Sequence, residues 1–272
     1  MKVNGAHFMF GRSPKKEELY VKMRIRKMKR VKLVVAYDGT NYHGWQIQPN
    51  EISVEEILNE KLSQLTGEEI KVIGASRTDA GVHAMGNVAV FDTESRIPGE
   101  KFSYALNQRL PEDIRIQSSE EVAAEFHPRH CDCRKTYRYQ ILNSEFPIPT
   151  ERLYAHFIYY DLNLKAMRQA AQYLIGEHDF KSFCSTKTSV TDTVRTIYDV
   201  KVVKEDHMIS IFVQGNGFLY NMVRIIAGTL IEVGLGRKQP GEIKEMLEQK
   251  DRQIAGPTAP AKGLALMKIE YL

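Results

Sequence analysis

The stretch GASRTDAGVHA, residues 74–84, holds a single carboxylate, Asp79, with Arg77 two residues before it and His83 four residues after it. Apolar runs flank this stretch, which predicts a loop between two strands. Asp and Gly are common turn formers, so an ordinary hairpin loop would explain the composition. Loops held by rigid strands also carry catalytic groups often, so a reactive Asp79 is the other interpretation. A metal-dependent nuclease would need further carboxylates nearby, and this hairpin offers only Asp92, at its far end.

Arg224 is the single charged residue in residues 217–231, a segment predicted to be helical and otherwise largely apolar. A guanidinium stays charged inside a protein, so burying it is costly unless a carboxylate meets it. The alternative is that Arg224 extends along an amphipathic helix to solvent. Because apolar residues surround it on every side, burial is favoured, and Asp79 is a natural candidate for the partner.

A strand is predicted over residues 134–142, and within it residues 135–141 alternate, with Tyr137 and Tyr139 on one face and Arg138 on the other. Aromatic side chains on a sheet beside basic residues can stack on a nucleic-acid base. Packing in a core is the more common role for tyrosines on a strand. The surrounding residues 126–138 form a basic patch suited to phosphate contacts, with Arg129, Arg134, Lys135 and Arg138 against Asp132.

Other polar residues are less specific. The loop at residues 39–50 holds the one tryptophan, Trp45, which either plugs the core or sits near a cleft beside Gln46 and Gln48. Lys181 and Arg195 are further candidates for phosphate contacts. A zinc site is disfavoured because the spacing of its potential ligands is not Cys-x-x-Cys and no second pair follows. Those potential ligands are His127, His130, Cys131 and Cys133, with His178 and Cys184.

Composition bounds the class of protein. The chain has 272 residues, 43% hydrophobic and 26% charged, as in soluble globular proteins. Three scattered cysteines and no secretion signal favour a reducing, cytoplasmic location. The longest apolar tract, residues 218–235, contains charged residues and is a poor membrane span. The net charge of +4 arises from residues 1–27, which carry +6, so the remaining chain sums to −2 and any polyanion site must be local.

The elements that must position these residues follow one order twice. Residues 28–125 and 126–272 each predict the order strand, helix, strand, strand, helix, strand, and residues 1–27 predict a flexible extension. The best-marked helix spans residues 53–67, with a Ser53–Glu56 capping box and Gly67 at its end. Further helices are predicted over residues 100–110 and 163–176. The predicted fold is α+β, with two ferredoxin-like (β-α-β-β-α-β) halves, antiparallel-rich sheets and a cleft between the halves, joined near residues 118–133.

With these motifs in view, the chain resembles the TruA family of tRNA pseudouridine synthases. The resemblance rests on several motifs in the family's order and runs from about Met28 to Leu272. The motifs that carry it are RTDAGVH at 77–83, KTYRY at 135–139 and GFLYNMVR at 217–224, with YDGTNYHGWQIQ, ALNQRLPEDI, FHPRH, GEHDFKSFC and GLALMKIEYL. One departure is Ser76, where the family more often has glycine.

The resemblance implies an enzyme that isomerises uridine to pseudouridine at positions 38–40 of the tRNA anticodon stem-loop. It implies a homodimer that works without metal or cofactor. Asp79 matches the catalytic aspartate, Arg77 the arginine that helps displace the base, Tyr137 the tyrosine that stacks on uracil, and Arg224 the partner of the aspartate. We expect Gln46, Arg129, Lys135, Arg138 and Lys181 to contact RNA. A non-catalytic RNA-binding module is the alternative function.

Overall fold

The computed structural model describes residues 28–186 and 190–272, so the predicted extension at 1–27 lies outside the described residues. Within them, ten strands and five α-helices form a mixed α+β fold. The strands are β1 Lys29–Tyr37, β2 Ile73–Gly74, β3 His83–Thr93, β4 Ile114–Val122, β5 Cys133–Asn143, β6 His156–Ile158, β7 Gly176–Asp179, β8 Val194–Glu205, β9 Met208–Gly215 and β10 Leu264–Tyr271. The helices are α1 Val54–Thr66, α2 Phe102–Asn107, α3 Leu164–Gln172, α4 Met222–Gly234 and α5 Glu242–Gln249.

All ten strands belong to one sheet, with the order β4-β1-β3-β10-β5-β9-β8-β7, while β2 pairs with β3 and β6 with β5. Most pairings are antiparallel, and the pairings β10–β3 and β5–β6 are parallel. The predicted α+β class is therefore confirmed. The strands of the two predicted halves are joined edge to edge, because β10, the last strand of the chain, pairs with β3 through Ala265 and His83.

Alternating burial along the strands places the hydrophobic core against the helices. In β1, Val31, Leu33 and Val35 are fully buried while the residues between them are partly exposed. The strand β9 shows the same alternation. Burying a side chain of this size stabilises the fold by about 1.5–3 kcal/mol. A one-residue shift of register would expose the whole apolar set of the strand, and this stabilisation would be lost.

The caps of helix α1 are confirmed. The Ser53 side chain accepts a hydrogen bond from the Glu56 backbone N–H at 3.3 Å. Gly67 ends the helix in the left-handed conformation, with φ 74°, and its N–H donates to the Ser63 carbonyl. Both ends of the helix are therefore satisfied by the residue types that the sequence pattern indicated.

Several predicted boundaries are wrong for identifiable reasons. Helix α4 begins at Met222 rather than at residue 217, because Asn221 has φ 60° and interrupts the helical backbone. Strand β4 continues to Val122, through part of the predicted linker, because it pairs with β1 along its length. The helix expected over residues 100–110 contains a 3₁₀ turn followed by the short α2.

The strands β6 and β7 were not predicted because they are only three and four residues long. The helix α5 was also not predicted, although Ile243, Met246 and Leu247 have the spacing of one helical face. The helix expected over residues 163–176 also stops early, at Gln172. Among residues 28–186 and 190–272, no helix is both long and apolar enough to cross a membrane.

Candidate active site

The loop that carries Asp79 is held by close backbone packing against residues 39–45. The Trp45 N–H donates to the Thr78 carbonyl at 3.1 Å. A Cβ at Gly44 would lie 2.3 Å from that same carbonyl oxygen, and one at Gly39 would lie 2.0 Å from the Val82 carbonyl oxygen. Both contacts are closer than any side chain permits, so these glycines allow one loop to press on the other. Trp45 is 1% exposed and fills the core beneath them.

Buried polar groups fix the same loop from below. Tyr37 Oη and Thr78 Oγ1 lie 2.7 Å apart and share a hydrogen bond. The Asn87 side-chain amide donates to the Ser76 carbonyl at 3.0 Å. Ser76 is not among the described residues with positive φ, so its backbone conformation does not require the glycine that is more usual in the family. These hydrogen bonds hold the residues that precede Asp79 in place, so the position of Asp79 is fixed.

Asp79 meets Arg224 across the fold. The distance from Arg224 Nη1 to Asp79 Oδ2 is 3.2 Å, and the two side chains are 17% and 25% exposed. The prediction that Arg224 is buried against a carboxylate is therefore confirmed, and the solvent-directed alternative is wrong. Burial raises the pKa of Asp79 above its ordinary value, and the charge of Arg224 and its hydrogen bond oppose that shift. The pair thus holds a largely buried carboxylate beside a permanent cation.

Two further contacts orient Arg224. Its Nε donates to the Ala259 carbonyl at 2.8 Å, and its Nη1 donates to Asn221 Oδ1 at 2.8 Å. A planar guanidinium held at two nitrogens has little rotational freedom. Asp79 therefore faces a cation whose direction is set by other residues.

Asp79 lies in a cavity of about 770 Å³ that is open to solvent. The lining includes four Lys or Arg side chains, and among the described residues lining it Asp79 is the single carboxylate. The four cationic residues are Arg77, Arg129, Lys135 and Arg195. A cavity with this balance of charge suits a polyanionic ligand, and its volume suits a group the size of a nucleotide.

Tyr137 forms part of the wall beside Asp79. It is 8% exposed and packs edge-on against Phe218, with ring centroids 5.2 Å apart. Burial raises the pKa of Tyr137 to about 12, and the nearby charge of Asp79 adds to the shift. The phenol is therefore protonated at neutral pH. Tyr139, two residues along the same face, is fully buried and donates its hydroxyl to the Pro260 carbonyl, so it belongs to the core.

The structure brings most of the remaining predicted site residues to the same cavity. Lys135 donates from Nζ to the Ala75 carbonyl at 3.0 Å, and burial lowers its pKa. Arg129 donates from Nε to the Gly74 carbonyl at 2.7 Å, and burial and the charge of Arg77 lower its pKa. Arg77 and Gln46 line the cavity with exposed side chains.

Two predicted contacts lie outside this cavity. Arg138 points to the opposite face of β5 from Tyr137, as strand alternation requires, and it lines a different cavity. Lys181 lies in a 3₁₀ turn and is absent from the residues that line the cavity. These two residues therefore do not share the cavity with Asp79, and their contact with RNA stays a prediction.

Sequence reasoning missed three contributors to the site. Phe218 supports the ring of Tyr137, Asn221 contacts Arg224, and Thr78 anchors the loop to Tyr37. Phe218 and Asn221 lie inside the motif GFLYNMVR, next to Arg224 in the chain, which is the one signal that could have indicated them.

The candidate zinc ligands do not form a group of three or more among the described residues. His127 and His130 stack at 4.1 Å between ring centroids. In the part of the chain that the structure describes, no three His, Cys, Asp or Glu residues are placed to hold a metal ion. Asp79 has a cation as its neighbour rather than the second carboxylate that a two-metal nuclease site needs.

Comparisons with known proteins identify the family of this chain. The family model described as tRNA pseudouridine synthase matches residues 33–130 and 170–272. The tRNA pseudouridine synthase A of Ruminiclostridium cellulolyticum is 54% identical over 245 residues, which cover 90% of this chain and 100% of the relative. Those of Thermoanaerobacter sp. (strain X514) and Brevibacillus brevis are 51% and 50% identical over 244 residues, with the same coverage. The chain therefore belongs to the tRNA pseudouridine synthase family.

Proposed function

We propose that this protein isomerises uridine to pseudouridine at positions 38–40 of the tRNA anticodon stem-loop, with Asp79 as the reacting group. Family membership makes it an isomerase that acts on tRNA uridine. The observation that carries the assignment of the site is the Arg224–Asp79 pair at 3.2 Å, inside a cavity with cationic walls. The stem-loop positions rest on the resemblance of the motifs.

The reaction explains why one carboxylate is sufficient. The N1–C1′ bond breaks, a C5–C1′ bond forms, the proton on C5 leaves, and N1 gains a proton. No atom or electron is gained or lost, so the conversion needs no oxidant, reductant or added water. An ionised Asp79 acts as the nucleophile, at the uracil ring or at ribose C1′. Both routes need the carboxylate form, which Arg224 stabilises against the effect of burial.

The other residues position the nucleotide. Tyr137 lies in the wall beside Asp79, where its ring stacks on the uracil and its hydroxyl lies close to the proton that C5 releases. A uridine in a paired stem must leave the helix to reach this cavity, at a cost of a few kcal/mol. The exposed Arg77 takes up the vacated space or holds a phosphate. Arg129, Lys135 and Arg195 neutralise the neighbouring phosphates.

Three broader features accompany this proposal. The two segments, residues 28–125 and 126–272, are ferredoxin-like halves, a view supported by strand order, since β4-β1-β3-β2 in the first corresponds to β10-β5-β9-β8 in the second. The protein is a homodimer, and it works in the cytoplasm. The dimer rests on the family resemblance, and the location rests on cysteine usage.

The test is to incubate the purified protein with unmodified tRNA that carries uridine at positions 38, 39 and 40, and to map pseudouridine at each position. We expect conversion in that segment and none at uridines elsewhere. Tight binding without conversion, across tRNAs that differ in these positions, would favour the non-catalytic RNA-binding module. Conversion confined to another arm of tRNA would retain the reaction and overturn the assigned position.

A further inference from the structure

Asn221 uses its side chain in an uncommon way. It precedes helix α4, a position where asparagine usually accepts a hydrogen bond from a free backbone N–H of the first turn. Here it makes no such capping bond. Its Oδ1 instead accepts from Arg224 Nη1 at 2.8 Å, and its Nδ2 donates to Ser185 Oγ at 2.9 Å. The amide therefore serves the guanidinium rather than the helix.

The geometry of the guanidinium shows what this contact does. Nη1 carries two hydrogens, and it has two acceptors, Asn221 Oδ1 at 2.8 Å and Asp79 Oδ2 at 3.2 Å. The contact with the amide is the shorter of the two. Together with the bond from Nε to the Ala259 carbonyl, it fixes the plane of the guanidinium. The second hydrogen of Nη1 is then directed toward Asp79.

The backbone of Asn221 is also specialised. Its φ of 60° is one of only four positive values among non-glycine residues in the described part of the chain. Asparagine tolerates this left-handed region better than most residues do. Helix α4 starts immediately after Asn221, and Arg224, three residues further along the chain, lies in its first turn within reach of the Asn221 amide. Asn221 therefore contributes both a backbone conformation and an amide that this position uses.

We propose that Asn221 is a positioning residue that aims Arg224 at Asp79 and so maintains Asp79 as a carboxylate. This inference rests on the proposed role of Asp79. Asn221 acts through Arg224, so it governs the turnover of bound RNA rather than the binding of RNA. The Ser185 hydroxyl, on the segment after the 3₁₀ turn at Lys181–Phe183, holds the amide in the orientation that presents its oxygen to Arg224.

The pH dependence of turnover provides the readout, because other charged and titratable groups near the pair remain unchanged in the variants. Those groups, from the elements around the pair, are His43, Arg77, Arg129, Lys135, Tyr137, Tyr139, Arg195 and Tyr220. Asn221→Asp retains the acceptor oxygen but adds a second carboxylate on the same guanidinium. Two carboxylates that share one cation compete for it, so we expect the acid limb of kcat to move up by about one pH unit.

Asn221→Gly removes the amide and preserves the left-handed backbone. We expect kcat to fall about tenfold while KM for tRNA stays within about twofold. The matched control is Gln172→Glu, an amide-to-carboxylate change at an exposed position at the end of α3, which we expect to leave both constants and the pH profile unchanged. Thermal unfolding of each variant confirms that the measured protein is folded.

Two outcomes would overturn the inference. One is a wild-type kcat and pH profile in both Asn221 variants, while Asp79→Asn is inactive. The other is a raised KM at constant kcat in Asn221→Gly, which would make Asn221 an RNA contact. A different result, full activity in Asp79→Asn, would contradict the proposed function instead.

Discussion

Two cavities lie on opposite faces of β5 and β10, and their charges differ sharply. The first, around Asp79, contains Tyr137 and Leu264, and the described residues that line it include four Lys or Arg residues and one carboxylate. The second, of about 470 Å³, contains Arg138 and Ala265. Its lining has two arginines and four carboxylates, Asp38, Glu112, Asp113 and Glu151.

This difference arises because side chains along a strand alternate between the two faces of the sheet. Adjacent residues of β5 reach opposite faces, so the motif KTYRY supplies Lys135 and Tyr137 to the cationic cavity and Arg138 to the acidic one. The carboxylates of the second cavity are occupied in part by structural bonds, because Tyr154 Oη donates to Asp38 and Tyr42 Oη donates to Asp113, both at 2.6 Å. A polyanion is attracted to the first cavity and repelled by the second.

The largest expected contrast between the cavities is the effect of removing one carboxylate from each. Asp79→Asn should lower kcat by at least about 10,000-fold, because it removes the proposed nucleophile, while the Kd for tRNA changes less than about threefold. Glu112→Gln, in the acidic cavity, should leave kcat within about twofold. Tritium release from tRNA labelled at uridine C5 measures both. An equal loss of kcat in the two variants would contradict the assignment of the reaction to the cavity around Asp79.

The cation beside Asp79 should have the next largest effect. Arg224→Met should lower kcat/KM by about 100- to 1,000-fold at neutral pH. It removes the interaction that opposes the raised pKa of Asp79, so that pKa rises further and activity should be lost at a higher pH than in the wild type. Arg224→Lys restores the charge without the planar contacts and should recover part of the rate. An acid limb in Arg224→Met identical to the wild type would count against the pairing.

Tyr137 and Tyr139 offer a matched pair on one face of β5. Tyr137→Phe retains the ring against Phe218 and should lower kcat about 10- to 100-fold with little change in Tm. Tyr139→Phe removes the buried hydrogen bond to the Pro260 carbonyl and should cost about 1 kcal/mol of the free energy of unfolding, with kcat preserved. Turnover and denaturant unfolding of both variants would separate the roles. A loss of kcat in Tyr139→Phe, with kcat preserved in Tyr137→Phe, would contradict the role of Tyr137 in the reaction.

The smallest expected effect concerns the binding of RNA. Lys135→Met should weaken tRNA binding a few-fold and reduce the slope of log K against log salt by about one phosphate contact. Arg138→Met, on the other face of the same strand, should change neither quantity. Filter binding at several salt concentrations measures both. An unchanged slope in Lys135→Met with a reduced slope in Arg138→Met would mean that RNA lies on the acidic side of the sheet.

Local features of the fold were predictable from the sequence, and long-range ones were less so. Ser53 and Gly67 marked both ends of α1, because capping depends on nearby residues. The extension of β4 to Val122 depends on pairing with β1, which no local pattern encodes. The joining of the two halves depends on β10 reaching β3, also a matter of tertiary structure.

The ion pair of the site was predictable from the sequence because burying a charge is costly. A buried guanidinium needs a carboxylate, and that argument paired Arg224 with Asp79 across 145 residues of chain. Alternation in β5 separated Tyr137 from Arg138, yet the basic composition of the motif still suggested that both contact RNA. Asn221 escaped prediction because its positive φ and its bond to Arg224 exist only in the folded chain.

The central claim is that ionised Asp79, paired with Arg224, is the reacting group. The most direct test compares the titration of the Asp79 carboxyl carbon, followed by ¹³C NMR and assigned with Asp79→Asn, with the pH dependence of pseudouridine formation in a single turnover. We predict one midpoint for both, at a pKa raised above the ordinary value of aspartate, with the rate lost as the pH falls through it. A full rate at a pH where Asp79 is protonated would contradict the claim.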